Sequence, residues 1–366
     1  MPSLQISSFS REQTEILKGI GILLIVLHNF YHNLTPLIGQ NEFVFRHQTI
    51  TLFLRTIADS PLDILRAIFS YFGHYGVQVF IFFSAYGLTK KYYGKILIFN
   101  PFLLGRINKI YLSFMLCMLV YILLGFVKAG FLTDEKVLYW DSLLWKALLI
   151  SNLIPNQAMM PVGPWWFLPF IFQFYVLYPF LLKGFQKYGG GFLLIISIIS
   201  ILAEFSLNPI LIPEGLNLNY MVFGHLPLLC FGMYLAVQQR INIRLDIVVI
   251  SLVLFVLGNF NSYVWILTDM TFAILFLTVS IYVFSRHSGW TKLSTLFTFF
   301  GGISFYLFMV NGFLRSPFHN FAETYNLWWV DNLAALASLL FSTLFAMILF
   351  RLDKWLRIYL KVLSQR

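Results

Sequence analysis

Ten stretches of about 20 predominantly apolar residues follow one another along the 366-residue chain, and a helix of about that length crosses a bilayer core about 30 Å thick. The stretches run over 15–34, 67–89, 107–127, 163–182, 191–206, 220–238, 245–260, 264–285, 295–314 and 330–350. Runs such as Phe192 to Leu202 lack the period-two alternation of membrane barrel strands, the other structure that satisfies its backbone in lipid. Charged residues make up 11% of the chain and hydrophobic ones 59%, whereas soluble domains carry about 25% charged residues. The expectation is an all-α, polytopic membrane protein with about ten transmembrane helices. Disordered, collagen-like and disulfide-stapled secreted classes are excluded by the same figures.

Lysine and arginine in short flanking loops set the orientation. With the N-terminus cytoplasmic, only Arg46, Arg55, Arg66, Lys128, Lys136, Lys146 and Arg315 fall outside, so the inside holds 25 − 7, or 18, basic residues, Arg366 among them. An even number of spans then leaves both termini cytoplasmic. The net charge of +10 is therefore topological; it calls for membrane lipids and no nucleic acid. Ser10 and Gln13 have the spacing of a capping box for the first helix. Arg11, Glu12, Glu15 and Lys18 precede a first span too long for a signal peptide, which is expected to stay as an anchor. Residues 351–366 alternate Leu, Trp and Ile with Lys and Arg and read as an amphipathic cytoplasmic tail. One membrane domain is expected over 1–366, with no appended soluble domain.

Cys117 and Cys230 both sit in apolar runs, and neither a CxxC pair nor a Cys/His metal spacing occurs. No bound cofactor or metal is expected. P-loop, dinucleotide-binding and G-x-S-x-G signatures are also missing, so any chemistry must come from polar residues within the spans, which are expensive there and functional by default. These are His28, Asn29 and His32 in the first span, Gln78 and Ser84 in the second, Gln173, His225, Asp269 and Asn311. For Gln78, Gln173 and Asn311, hydrogen bonding between helices explains the residue equally well. His225 and Asp269 lie near outer ends and are expected to be structural. His28 and His32, four apart, share one helical face and carry the side chain suited to general base catalysis at neutral pH. Half a metal site is the lesser reading. Lys18 starts the same helix about 15 Å above His28 at 1.5 Å rise per residue.

The segment Lys18-Gly-Ile-Gly-Ile-Leu-Leu-Ile-Val-Leu-His28 resembles the first-helix motif of the acyltransferase-3 family of bacterial membrane proteins. Nine residues separate the two ends here, and Asn29 holds the family's usual histidine spacing. Gly76-Val-Gln78-Val-Phe-Ile-Phe-Phe-Ser84-Ala-Tyr-Gly-Leu88 is similar to the family's second-helix segment. Arg106-Ile-Asn-Lys109-Ile-Tyr111 resembles its basic third-helix start, and Trp166-Phe-Leu168 with Tyr175, Tyr178 and Pro179 its fourth helix. The resemblance covers nearly the whole chain.

It implies an O-acyltransferase, with O-acetyl transfer first in line, in a bacterial plasma (inner) membrane. The co-substrate would be cytoplasmic acetyl-CoA or another acyl-CoA, and the acceptor a hydroxyl of a cell-surface or lipid-linked glycan. His28, or His32 one turn on, would be the base. Lys18, Arg106 and Lys109 would bind donor phosphates, although positive-inside anchoring explains Lys109 equally well. Asn29, Gln78, Ser84, Trp166 and Asn311 complete the expected pocket. A secondary transporter or flippase of a glycan or small acid is the rival class, and a family member without catalysis, given Asn29 and Asn311, is a third reading.

Overall fold

The computed structural model describes residues 4–6, 8–32, 34, 39–128, 138–286 and 291–363; Lys136 and Arg366 lie outside the described residues. The first helix, α1 (Arg11–Tyr31), opens on the expected box. The Ser10 hydroxyl accepts from the Gln13 backbone N–H at 3.1 Å, and the Gln13 side chain accepts from the Ser10 N–H at 2.9 Å. After it come α2 (His47–Asp59), α3 (Ile64–Phe72), α4 (Gly76–Tyr92), α5 (Phe99–Lys128), α6 (Trp140–Ala147), α7 (Phe167–Tyr188) and α8 (Gly190–Leu211). The longer helices that follow are α9 (Leu226–Val237), α10 (Leu245–Gly258), α11 (Thr268–Arg286), α12 (Thr291–Leu314), α13 (Ser316–Tyr325) and α14 (Trp328–Leu363), with a single turn at Ser262–Trp265 before α11. Seven of these helices are long and apolar enough to cross a bilayer. The shorter α4, α9 and α10 occupy the other three expected spans, so the all-α polytopic reading holds. Beside the helices, Leu4–Ile6 pairs antiparallel with Ile241–Ile243.

Two expected elements differ. The second span is two pieces, α3 and α4, joined by a 3-10 turn over Gly73–Tyr75. Gly73 and Gly76 bracket that turn because α1 passes against it: a Cβ on Gly73 would lie 2.6 Å from the His28 Cβ and 2.8 Å from the Leu24 carbonyl oxygen. The amphipathic stretch after the tenth span is not a separate helix. It continues α14 through Leu363, and Arg357 turns inward, donating to the carbonyls of Asn108 and Lys109 at 2.9 and 3.0 Å.

Contacts between distant segments test the parity of the spans. The strand before α1 pairs with the one after α9, and Arg357 near the end of α14 meets α5 at Asn108 and Lys109, so Leu4–Ile6 and the last turns of α14 lie on the face of Lys18 and Lys109. The opposite face joins Arg66 to Asp331, Asn217 to Phe43, and His225 to Asp269. Every one of these pairs is separated by an even number of spans. In α8 only 17% of the apolar window is buried, leaving Leu194, Ile195, Ile198 and Leu202 for lipid.

Helices α1 and α12 approach at glycines. A Cβ on Gly301 would overlap the Glu15 carbonyl, while a Cβ on neighbouring Gly302 meets nothing within 4 Å. Gly301→Ala is expected to destabilise the protein by about 1–3 kcal/mol, the cost of overpacking, and Gly302→Ala to leave it unchanged. Thermal unfolding in detergent reads the difference.

Candidate active site

Two chambers lie end to end along α1. The inner one, about 490 Å³, is lined by Lys18 and Ile25 from α1, by Val77, Phe80 and Ser84 from α4, by Lys109 and Ser113 from α5, and by Tyr306, Phe308, Asp353 and Arg357 among others. The outer one, about 100 Å³, is lined by Ile25, His28, Asn29, His32, Asn41, Glu42, His74, Val77, Trp166, Phe308 and Arg315 among others. Ile25, Val77 and Phe308 belong to both walls, so they form the septum. Residues 18, 25, 28 and 32 fall on one stripe of α1 by helical period, which is how a single helix lines both rooms.

The outer chamber gathers three histidines. The His28 ring centroid lies 4.7 Å from that of His32 and 5.6 Å from that of His74. His28 Nδ1 stands 3.2 Å from the Phe69 carbonyl. A carbonyl only accepts, so Nδ1 carries the proton and Nε2 keeps its lone pair. Among the described residues no group of three His, Cys, Asp or Glu is placed to hold a metal ion.

Asn29 Nδ2 donates to Asn311 Oδ1 at 2.9 Å, and Asn311 Nδ2 donates to the carbonyls of Leu307 and Phe308. This pair ties α1 to α12, with both N–H groups of Asn311 and one of Asn29 engaged. Glu42, on the loop after α1, is 7% exposed, and burial pushes its carboxyl up to about 8. It is therefore largely a neutral acid at pH 7.

In the inner chamber, Asp353 accepts from Tyr306 OH at 2.7 Å and Arg357 Nε at 2.8 Å. Arg357 also donates to Ser113 Oγ at 3.1 Å. Lys109 feels the charges of Arg106, Lys18 and Lys91, so the basic residues form one cluster. Arg106 itself lines neither chamber: it donates to Tyr92 OH at 3.0 Å and lies over the Phe102 ring, 5.4 Å from its centroid.

Of the expected pocket residues, Ser84 joins the inner chamber and Trp166 the outer one. Gln78 is the exception. It faces Phe272 and Phe276 of α11, with both amide atoms buried and unpartnered. Gln173 accepts from the Val222 N–H at 3.0 Å, and His225 Nε2 contacts the Asn219 carbonyl at 2.9 Å with Asp269 at 3.6 Å, so these serve as structural ties. Sequence reading passed over His74, Asn41, Glu42 and Arg315 as site residues. The Gly-His-Tyr-Gly run at 73–76 was the available signal for His74, since paired glycines punctuate helices.

Residues 12–351 match the family model described as an acyltransferase domain. The chain belongs to the acyltransferase-3 family. This acyltransferase-3 protein is therefore a membrane acyltransferase, which decides against the solute-carrier reading. No curated protein and no solved structure matches the chain.

Proposed function

We propose that this acyltransferase takes an acyl group, acetyl first, from cytoplasmic acyl-CoA and transfers it to a hydroxyl of a cell-surface or lipid-linked glycan in a bacterial plasma membrane. The observation that carries the reading is the pair of abutting chambers, basic and roomy on one side, histidine-lined and small on the other. A phosphate-bearing donor fits the first, with Lys18 and Lys109 on its phosphates and Arg106 adding field from one turn away. Its thioester end would pass Ile25, Val77 and Phe308. The fivefold smaller outer room suits a short acyl group better than a long one. There His28 Nε2 would take the proton of the acceptor hydroxyl as its oxygen attacks the thioester carbonyl.

The test is turnover of radiolabelled acetyl-CoA by the purified protein in nanodiscs, with envelope glycan supplied as acceptor. Absence of label transfer to any glycan hydroxyl, with the protein folded, overturns the reading. Lys18→Glu should raise the KM for acetyl-CoA about 10- to 100-fold, equivalent to about 1.5–3 kcal/mol for a contact to a charged group. The expected kcat is near that of the parent. Steady-state kinetics separates the two effects, and a lowered kcat at unchanged KM would remove Lys18 from donor binding.

A further inference from the structure

Acyl transfer passes through a tetrahedral adduct whose former carbonyl oxygen becomes an anion, and a donor fixed at that point is commonly the largest single contribution to rate. Of the uncharged polar side chains expected in the pocket, four are engaged or elsewhere. Asn29 donates to Asn311, Asn311 donates to the Leu307 and Phe308 carbonyls of its own helix, Gln78 faces α11, and Ser84 lies in the inner chamber. Asn41 turns its amide oxygen onto the N–H groups of Phe43 and Val44; its NH2 is at most a neutral donor.

Arg315 is different. It sits between α12 and α13, and its carbonyl accepts from the His319 N–H at 2.9 Å, so the backbone that carries it is held by helix on both sides. Its Nη1 is buried without a hydrogen-bond partner. Among the described residues it makes no ion pair, and it is the one permanently charged cation lining the outer chamber. Its charge acts on both His28 and His32. Burial lowers its pKa to about 10, so it is a cation throughout the neutral range. The acid in the same wall, Glu42, is largely uncharged there and does not neutralise it.

We infer that Arg315 is a catalytic residue of this acyl transfer, donating from its unpartnered guanidinium edge to the oxyanion of the tetrahedral adduct formed beside His28. The inference rests on the acyl-CoA-dependent reading above. In the step, the acceptor hydroxyl loses its proton to His28 Nε2 and its oxygen bonds to the thioester carbon. The carbonyl electron pair moves onto oxygen, where Arg315 meets it. Collapse breaks the carbon–sulfur bond, and the proton on His28 passes to the departing thiolate, giving the ester and free CoA thiol.

The experiment uses membrane vesicles from producing cells that lack the chromosomal copy and carry wild-type or variant protein, with radiolabelled acetyl-CoA as the probe. Label in envelope glycan is counted per folded protein. Arg315→Met should lower kcat about 10²- to 10³-fold, the loss typical of one oxyanion donor, with the KM for acetyl-CoA within twofold. Arg315→Lys, which keeps the charge and loses the fork, should lower kcat about tenfold and supplies the reading if the methionine variant does not insert. Wild-type kcat in either folded variant overturns the inference, as does a loss that saturating acetyl-CoA restores. Vesicles with wild-type protein that transfer no label overturn the underlying reading instead, and the two failures are thereby distinct.

Discussion

Replacing His28 with alanine lowers acyl transfer about 10²- to 10⁴-fold, the range for loss of a positioned general base, while the thermal midpoint stays close to that of the parent. His28 is 6% exposed and lines the small chamber; its Nδ1 is fixed on the Phe69 carbonyl, which leaves Nε2 as the acceptor of a proton. His32 has a buried Nδ1 without a partner and a backbone hydrogen bond at Ser70; it stands one turn farther than His28 from the Ile25 septum, and His32→Ala should cost no more than about tenfold, an indirect effect of a changed field and packing beside the base. Label transfer from radiolabelled acetyl-CoA into glycan is the measurement. Full activity in both single variants would sink the mechanism, and a larger loss at His32 than at His28 would exchange their roles. Asn29, which occupies the family's usual histidine spacing, is tied to Asn311 and is not a base.

The helices were legible because a bilayer leaves the chain few options. An apolar run of the right length must close its backbone hydrogen bonds within itself, and ten such runs mark where the helices lie, while the lopsided lysine and arginine set the expected orientation. What a 20-residue average hides is a break inside a span. The turn at Gly73–Tyr75 is only three residues long and vanishes in that average, yet it is the feature that brings His74 and the Phe69 carbonyl to His28.

The choice of face was partly legible. Val77, Phe80 and Ser84 share one face of α4 by spacings of three and seven, whereas Gln78 and Ser84, six residues apart, differ by about 240° around a helix. Both could not line one cavity. Arg315 and Glu42 were out of reach for another reason: each lies just beyond a span, where orientation arithmetic accounts for a charge completely, and only tertiary structure turns it inward.

Asp331→Ala is expected to destabilise the protein by about 3–5 kcal/mol, because removal of one partner strands a buried charge. Arg66 Nη1 meets Asp331 Oδ2 at 2.5 Å with the residues 5% and 1% exposed, and Asp63 adds a second contact to Arg66 at 3.1 Å. At the next residue of α14, Asn332 accepts from Tyr31 OH at 2.7 Å, so α1, α3 and α14 meet at a single polar junction in an apolar surround. The ion pair holds α3, and α3 carries the Phe69 carbonyl that orients His28; Asp331→Ala should therefore also lower kcat while leaving the KM for acetyl-CoA unchanged, the donor site being at the other end of α1. Replacing both partners by leucine removes the stranded charge as well as the attraction, and buried pairs exchanged in this way are often neutral. The double variant is expected to recover most of the lost stability, and with it His28-dependent turnover. A double-mutant cycle on thermal unfolding in detergent, run beside acetyl transfer, measures the coupling. If both single variants fall within 1 kcal/mol of the parent, the junction does not hold α3. If the double variant regains stability without turnover, the charges themselves, and not the placement of α3, act on the chemistry.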